Sequence, residues 1–465
     1  MAKKSTYLEH FFEFIIIDCM TKDLTEGKPL TLIVKFSFSI LLGLLFQQFY
    51  NIVDTAIVGR ALGPEALAAV GCTGSVCFLL LGFCNGVSGG FTLPIAQKFG
   101  AKDFSLMRTY VWNAAFLCII FSVVFTVGTA ILCGPILVLM RTPERILNDS
   151  VSYLRIIFLG IPFLFLYNFI ANLMRSLGDS KTPLYFLVAS SILNILLDLF
   201  FIRVCSMGVA GAALATVISQ ALPGLVSLAF LLKNFSILKM SRKEKVIAKK
   251  HCFELCRFGI PMGLQYSITA IGSVILQSSV NGLGHYTVTA ISAGMKINML
   301  FASVFDSFGL TMATYGGQNT GAAKYDRLVH GVRDCMLISA VYSIVAFAAV
   351  FFFGKNFIYI FLKNPTEKIL DEAYIFLLAN FGFYITLAAV NIYRFMIQGM
   401  GFSAFSMFSG LAEMLARAAM GIFAVPLFGI YGAVFGSPAA WVLADCFLIP
   451  AFYHCVKKLK SAKRI

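Results

Sequence analysis

Between residues 36 and 454 the chain runs through twelve apolar stretches, at 36–59, 67–96, 109–133, 153–174, 183–202, 207–232, 258–283, 288–316, 334–353, 373–396, 404–427 and 430–454. A hydrocarbon core of about 30 Å takes about 20 residues of helix to cross, and inside it every backbone N–H and C=O must find its partner within the segment. Twelve such stretches therefore predict an all-α polytopic membrane protein. The composition agrees, since 59% of the 465 residues are hydrophobic, only 13% are charged, and 47 are Phe.

A net charge of +15 would point to nucleic acid in a soluble protein, but here the basic residues gather in alternate loops. About 26 of the 37 Lys and Arg fall in the N-terminus, 98–108, 175–181, 233–257, 324–333 and the C-terminal tail, the pattern by which membrane chains encode orientation. Those loops and both termini are expected in the cytoplasm, and no nucleic-acid partner is. The early segment FFEFIIIDCM is too short to span and contains Glu13 and Asp18, so a short amphipathic helix on the inner surface is expected there. The 12 Cys lie singly in apolar runs, apart from HCFELC at 251–256, which lacks the second cluster a structural zinc site requires. No metal is expected beyond a coupling Na⁺.

The chain repeats itself. LGPEALAAVG (62–71) returns loosely as LGHYTVTAIS (283–292), AQKFGAKD (96–103) as GQNTGAAK (317–324), and GVAGAA (208–213) as GIYGAV (429–434), all 221 positions apart, while RSLGDS and QGMGFS lie 223 apart. One register held by four motifs defines a unit of six helices. The expected domains are a cytoplasmic N-terminal segment (1–27), an N-lobe (28–232), a basic linker (233–257), a C-lobe (258–456) and a cytoplasmic tail (457–465). An even number of spans per unit relates the two six-helix bundles by an axis along the membrane normal, an arrangement found in transporters.

Four stretches, FQQFYNIVDTAIVGRALGPEALAAVG, AQKFGAKD, MRSLGDSKTP and GQNTGAAKYDRL, resemble the multidrug and toxic compound extrusion (MATE) family over residues 28 to about 456. The resemblance implies two six-helix lobes around a V-shaped cleft and export of drug-like, often cationic, compounds driven by inward flow of Na⁺ or H⁺. No phosphate-binding loop is present, so an ion gradient is the expected energy source and a buried carboxylate its expected ligand.

The run SSILNILLDLFFI (190–202) supplies one. Asn194 and Asp198 stand four apart, on one helix face, and a carboxylate at mid-membrane costs at least about 2.5 kcal/mol on insertion scales, which marks an ion pathway. Asp54 on the first helix is expected at similar depth, and Thr216 on the sixth completes an oxygen-rich group of the kind hard cations accept. In the branch of the family this chain resembles, an Asp, an Asn and Asp pair and a Thr at those places bind the cation, and Asp54, Asn194, Asp198 and Thr216 match position by position. The repeat maps them onto Ile275 or Leu276, Arg417, Gly421 and Ser437, none of them acidic, so ion binding is expected in the N-lobe alone.

Gln47, Tyr50 and Asn51 are candidates to line the cleft, and Glu413 with Arg417, an i, i+4 pair, either neutralise each other or contact cargo between the lobes. Asp306, Lys296 and Asp445 have no assignable partner in the sequence. One departure from the family is Ser39 where the first helix commonly carries a proline. The expected protein is a monomer in the cell membrane, without cofactor, in contact with lipids and small drug-like molecules. It is not expected to be an enzyme, since five dispersed His and no nucleophile-and-base arrangement are present. The rival reading is a lipid or lipid-linked oligosaccharide flippase of the same architecture.

Overall fold

The computed structural model describes residues 22–140, 142–362 and 364–462, which form helices and no strand. The amphipathic helix expected near the N-terminus lies outside the described residues. In the N-lobe the helices are α1 (Pro29–Leu62), α2 (Pro64–Gly100), α3 (Phe104–Leu139), α4 in two parts (Glu144–Leu159 and Ile161–Ser176), α5 (Lys181–Leu199) and α6 (Gly208–Asn234). The C-lobe repeats them as α7 (Lys249–Asn281), α8 (His285–Gly321), α9 (Tyr325–Phe361), α10 in two parts (Glu367–Gly382 and Tyr384–Gly399), α11 (Ser403–Ala419) and α12 (Gly436–Ala462).

Ten helices among the described residues are long and apolar enough to cross a membrane, and the parts of α4 and α10, bent by 47° and 49°, bring the number to 12 if each pair is one span. Large side chains such as Ile119, Val124 and Phe352 point outward and exposed, which only a lipid environment makes favourable. Acidic side chains fix the starts of two of these helices. Asp103 accepts the Leu106 amide (3.1 Å) at the start of α3, and Asp179 accepts the Lys181 and Thr182 amides (both 3.0 Å) at the start of α5.

The sequence repeat is a backbone repeat as well. Residues in the left-handed region occur in register: Gly63 and Gly284, Lys102 and Ala323, Gly178 and Gly401, Gly208 and Gly429. A π-turn follows α5 at Phe200–Val204, and another follows α11 at Met420–Ala424. Each lobe has its own large apolar core, and a small third cluster of Leu93, Phe258, Met262, Ala313 and Phe395 joins them.

That junction is made by backbone against backbone. A Cβ on Gly90 would fall 2.5 Å from the Gly259 Cα, and one on Gly86 2.7 Å from the Gly263 Cα, so α2 and α7 touch along a glycine seam. Gly71 and Gly74, farther along α2, meet nothing. At the end carrying the basic loops the repeat motifs clasp reciprocally: Gln97 donates to the Gly399 carbonyl (2.8 Å) and Gln318 to the Ser176 carbonyl (3.0 Å). Residues 22–28 cross this end. Leu24 N–H donates to Gln318 Oε1 (2.8 Å), Lys324 Nζ to the Thr25 carbonyl (2.9 Å) and Arg327 to the Gly27 carbonyl (2.9 Å). Gly178, at φ 88°, has the Lys22 carbonyl where any Cβ would stand.

The linker between the lobes is tied to α3. Arg108 and Ser105 donate to Glu244 (2.6 and 2.9 Å), and Asn113 donates to the Val246 carbonyl (2.9 Å). The Arg108 guanidinium, helped by Ser241, holds the Glu244 carboxyl at about 2. A depressed folded-state value means the tie is complete above the ordinary Glu value of about 4.3 and is lost as pH falls through about 2.

Two outcomes follow. Glu244→Gln removes the ion pair at neutral pH, and limited trypsinolysis is expected to cut faster at the linker lysines; unchanged cutting would show that the tie is not what orders the segment. Gly90→Val drives a side chain into the Gly259 backbone, which cannot yield, and overpacking of this kind costs about 1–3 kcal/mol. A lowered melting temperature in detergent is the expected reading, and an unaltered melt would mean that the seam does not close there.

Candidate functional site

On α5, Asn194 and Asp198 lie one turn apart and are buried, Asp198 completely. The helix packs between α1 and α6, and on α1 the half-buried Asp54 faces Asp198 closely enough for the two carboxyls to interact directly. Tyr50, one turn before Asp54, places its hydroxyl beside Gln47 and in the electrostatic field of both carboxyls. Asp54 Oδ1, both side-chain polar atoms of Asn194 and both carboxyl oxygens of Asp198 are buried without a hydrogen-bond partner among the described residues. Buried polar atoms are seldom left unpaired, because each costs about 1–3 kcal/mol. An oxygen-rich, acidic donor set in that condition fits a proton or a hard monovalent cation.

The remaining sequence candidates divide. Thr216, on the adjacent α6, donates its hydroxyl to the Ala212 carbonyl (3.0 Å), which leaves its lone pairs as acceptors. Asn51 is exposed on α1, and its carbonyl takes the Thr55 hydroxyl (2.8 Å). A residue the sequence reading passed over is Tyr153 of α4, which interacts with Tyr50, Asp54 and Asp198. Its only signal was a tyrosine in the mixed segment SVSYLRII, where neither its spacing nor its neighbours set it apart.

The repeat-related place in the C-lobe is built differently. The positions that a Cβ would occupy on Gly421 and Gly436 lie 2.9 Å from Ser279 Oγ and 2.6 Å from Leu276 Cδ2, so Ser279 and Leu276 fill what the N-lobe lines with carboxylates. Charge stands at and beyond Arg417, the repeat position of Asn194, and is paired: Glu413 pairs with Arg417 (3.1 Å) and with Arg394, which also donates to Ser409 (3.1 Å). All three ionic side chains are buried. Arg394 lies in an apolar run, NIYRFMIQ, where no i, i+4 acid announces its partner.

Between the lobes lies a cavity of about 210 Å³ lined by Gln47, Asn85, Asn172, Arg175 and Tyr266, among others. Asn168 donates to Asn85 (2.8 Å) and Arg175 to Asn172 (2.9 Å). Arg175, which the sequence placed among the basic loop residues, is thus a cavity residue, and its Nε finds no acceptor among the described residues.

The MatE family model matches residues 39–200 and 261–423, once in each lobe. A probable multidrug resistance protein of Bacillus subtilis, YpnP, is 30% identical over 363 residues, 77% of this chain and 80% of that protein. The multidrug export protein MepA of Staphylococcus aureus is 22% identical over 407 residues, 87% of each chain. Among solved structures, an outward-facing multidrug resistance MATE transporter superposes with a TM-score of 0.88 at 22% identity, over 94% of this chain and 98% of that one.

The ion network of the C-lobe makes a stability prediction. Glu413→Gln strands two guanidiniums in a dry site, and breaking a buried pair from one side costs about 3–5 kcal/mol. Thermal unfolding is expected at markedly lower temperature, while Glu413→Asp recovers part of the loss. A melt equal to the parent protein's would refute the pairing.

Proposed function

This chain belongs to the MatE family, and from that premise we propose that it is a secondary active exporter of organic, cationic, drug-like compounds in exchange for Na⁺ or H⁺. Asp54, Asn194, Asp198 and Thr216 bind the coupling ion. The observation that carries this reading is the set of five buried polar atoms on Asp54, Asn194 and Asp198 without a hydrogen-bond partner among the described residues, at a place whose repeat-related positions in the C-lobe, Ile275 or Leu276, Arg417 and Gly421, carry no carboxyl. Two neighbouring carboxyls in a poorly solvated site take up one positive charge readily, as a proton or as a metal cation, because both cannot stay ionised side by side without cost.

The mechanism follows from charge and packing. With the basic loops in the cytoplasm, the glycine seam and the glutamine clasp close the inner side, and the cleft opens outward. An ion entering from outside binds between Asp54 and Asp198 and offsets one negative charge, and cargo leaves. Reclosure of the outer side and opening of the seam carry the ion inward, and the lobes move as bodies about the cavity they share. The protein works as a monomer, since one chain contains both lobes. The named activities of YpnP and MepA support the drug-like class of cargo.

A second reading, export of a lipid or lipid-linked anion, is favoured by one feature, the Arg175 side chain in the cavity. Efflux of ethidium from proteoliposomes under separate Na⁺ and H⁺ gradients decides between them. Gradient-driven efflux is expected for the parent protein and is expected to be lost in Asp198→Asn, and the effective gradient names the ion. Efflux retained in that variant overturns the ion site, and movement of anionic lipid without cation efflux establishes the second reading.

A further inference from the structure

On α8, Phe305, Ser307 and Phe308 are buried, yet Asp306 between them is exposed. Residues four apart share a helix face, and Leu310, one turn further on, lines the interlobe cavity together with Tyr266 of α7 and Phe395 of α10. Asp306 therefore stands on the C-lobe wall of the cleft, one turn from the cavity. It makes no hydrogen bond or ion pair with a described residue, and its charged and titratable neighbours include Tyr266, Tyr384 and Arg394.

Arg394 does not neutralise it. That guanidinium is already bound to Glu413 and Ser409, and it also faces Asp445, whose buried Oδ1 has no hydrogen-bond partner. Around Arg394, three carboxylates (Asp306, Glu413, Asp445) stand against two guanidiniums (Arg394, Arg417). Of the three carboxylates, Glu413 and Asp445 are buried and Asp306 is exposed. A carboxylate at this depth without a contact partner draws a cation from whatever enters, and a tyrosine ring beside it offers the π-face that organic cations prefer over small hydrated ones.

We propose that Asp306 and Tyr266 form the cargo site for a monovalent organic cation, separate from the coupling-ion ligands on α1, α5 and α6. This deepens the export reading and rests on it. Its consequence is that ion and cargo share no ligand: neither displaces the other from a common carboxylate, and each acts on the other only through the position of the lobes.

The test is equilibrium binding of ethidium to the full-length protein in nanodiscs. Asp306→Asn is expected to weaken binding about tenfold or more, a loss of the size expected for a charge-assisted contact, and Asp306→Glu to restore it to within about threefold. Lys355→Gln, at a surface residue that pairs with Asp371 outside both sites, is expected to bind ethidium like the parent protein. Should Asp306→Asn prove unstable, Tyr266→Leu reads the same site and is also expected to lose affinity. Retained affinity in Asp306→Asn or in Tyr266→Leu, or an equal loss in Lys355→Gln, overturns the assignment. A parent protein that binds no ethidium overturns the cationic export reading along with it.

Discussion

The cost of burying charge inside a bilayer is the constraint around which this protein is arranged. The two lobes answer it in opposite ways. In the C-lobe, Glu413 lies between Arg394 and Arg417, and the repeat-related ion position is filled by Ser279 and Leu276 packed against two glycines. In the N-lobe, Asp54 and Asp198 are brought face to face with no cation from the chain to offset them. Two copies of one six-helix unit have thus diverged into a lobe whose buried carboxylate is paired with guanidiniums and one whose buried carboxylates face each other. The π-turn after Asp198 persists in both copies; such turns in helices often accompany functional sites, and here the second copy keeps the backbone form without the carboxylate.

Motifs that defined the repeat in the sequence turn out to hold the lobes together. Gln97 and Gln318 occupy the same repeat position and each reaches across to a carbonyl of the opposite lobe, Gly399 or Ser176. Gly100 and Gly321, three residues on, let the two backbones approach so closely that a Cβ on either would overlap a carbonyl oxygen of the other lobe. What read as shared ancestry is also a contact made twice under one pseudo-symmetry operation.

Much of the fold was legible because its signals are local: apolar length gives the spans, alternate basic loops give the expected orientation, and a constant offset gives the repeat. Asn194 and Asp198 were legible for the same reason, since the helix period alone puts them on one face. The partners that cross between helices were not. Arg394 had no acid at helical spacing to flag it, Tyr153 reaches Asp198 from a different helix, and Arg175 looked like one more loop cation until the fold turned it into the cavity. The bend in α4 and its repeat in α10 come from helix breaks at Gly160 and Phe383; the apolar run continues through both, so hydropathy could not mark them.

A clasp made of hydrogen bonds and a glycine seam is suited to being broken. Each net hydrogen bond contributes about 0.5–1.5 kcal/mol, so the reciprocal glutamine pair holds this face closed by only a few kcal/mol beyond what packing adds. The seam itself has few long side chains to disentangle, and its glycines separate without rotamer changes. A ligand moves such an equilibrium only by the difference in its affinity for the two states, and about 5.5 kcal/mol takes a population from one extreme to the other. If ion and cargo bind in different lobes, each must obtain that difference from the relative placement of the lobes. The bond that transmits coupling is then the interface itself, and the weakness of the clasp is what allows two small ligands to control it.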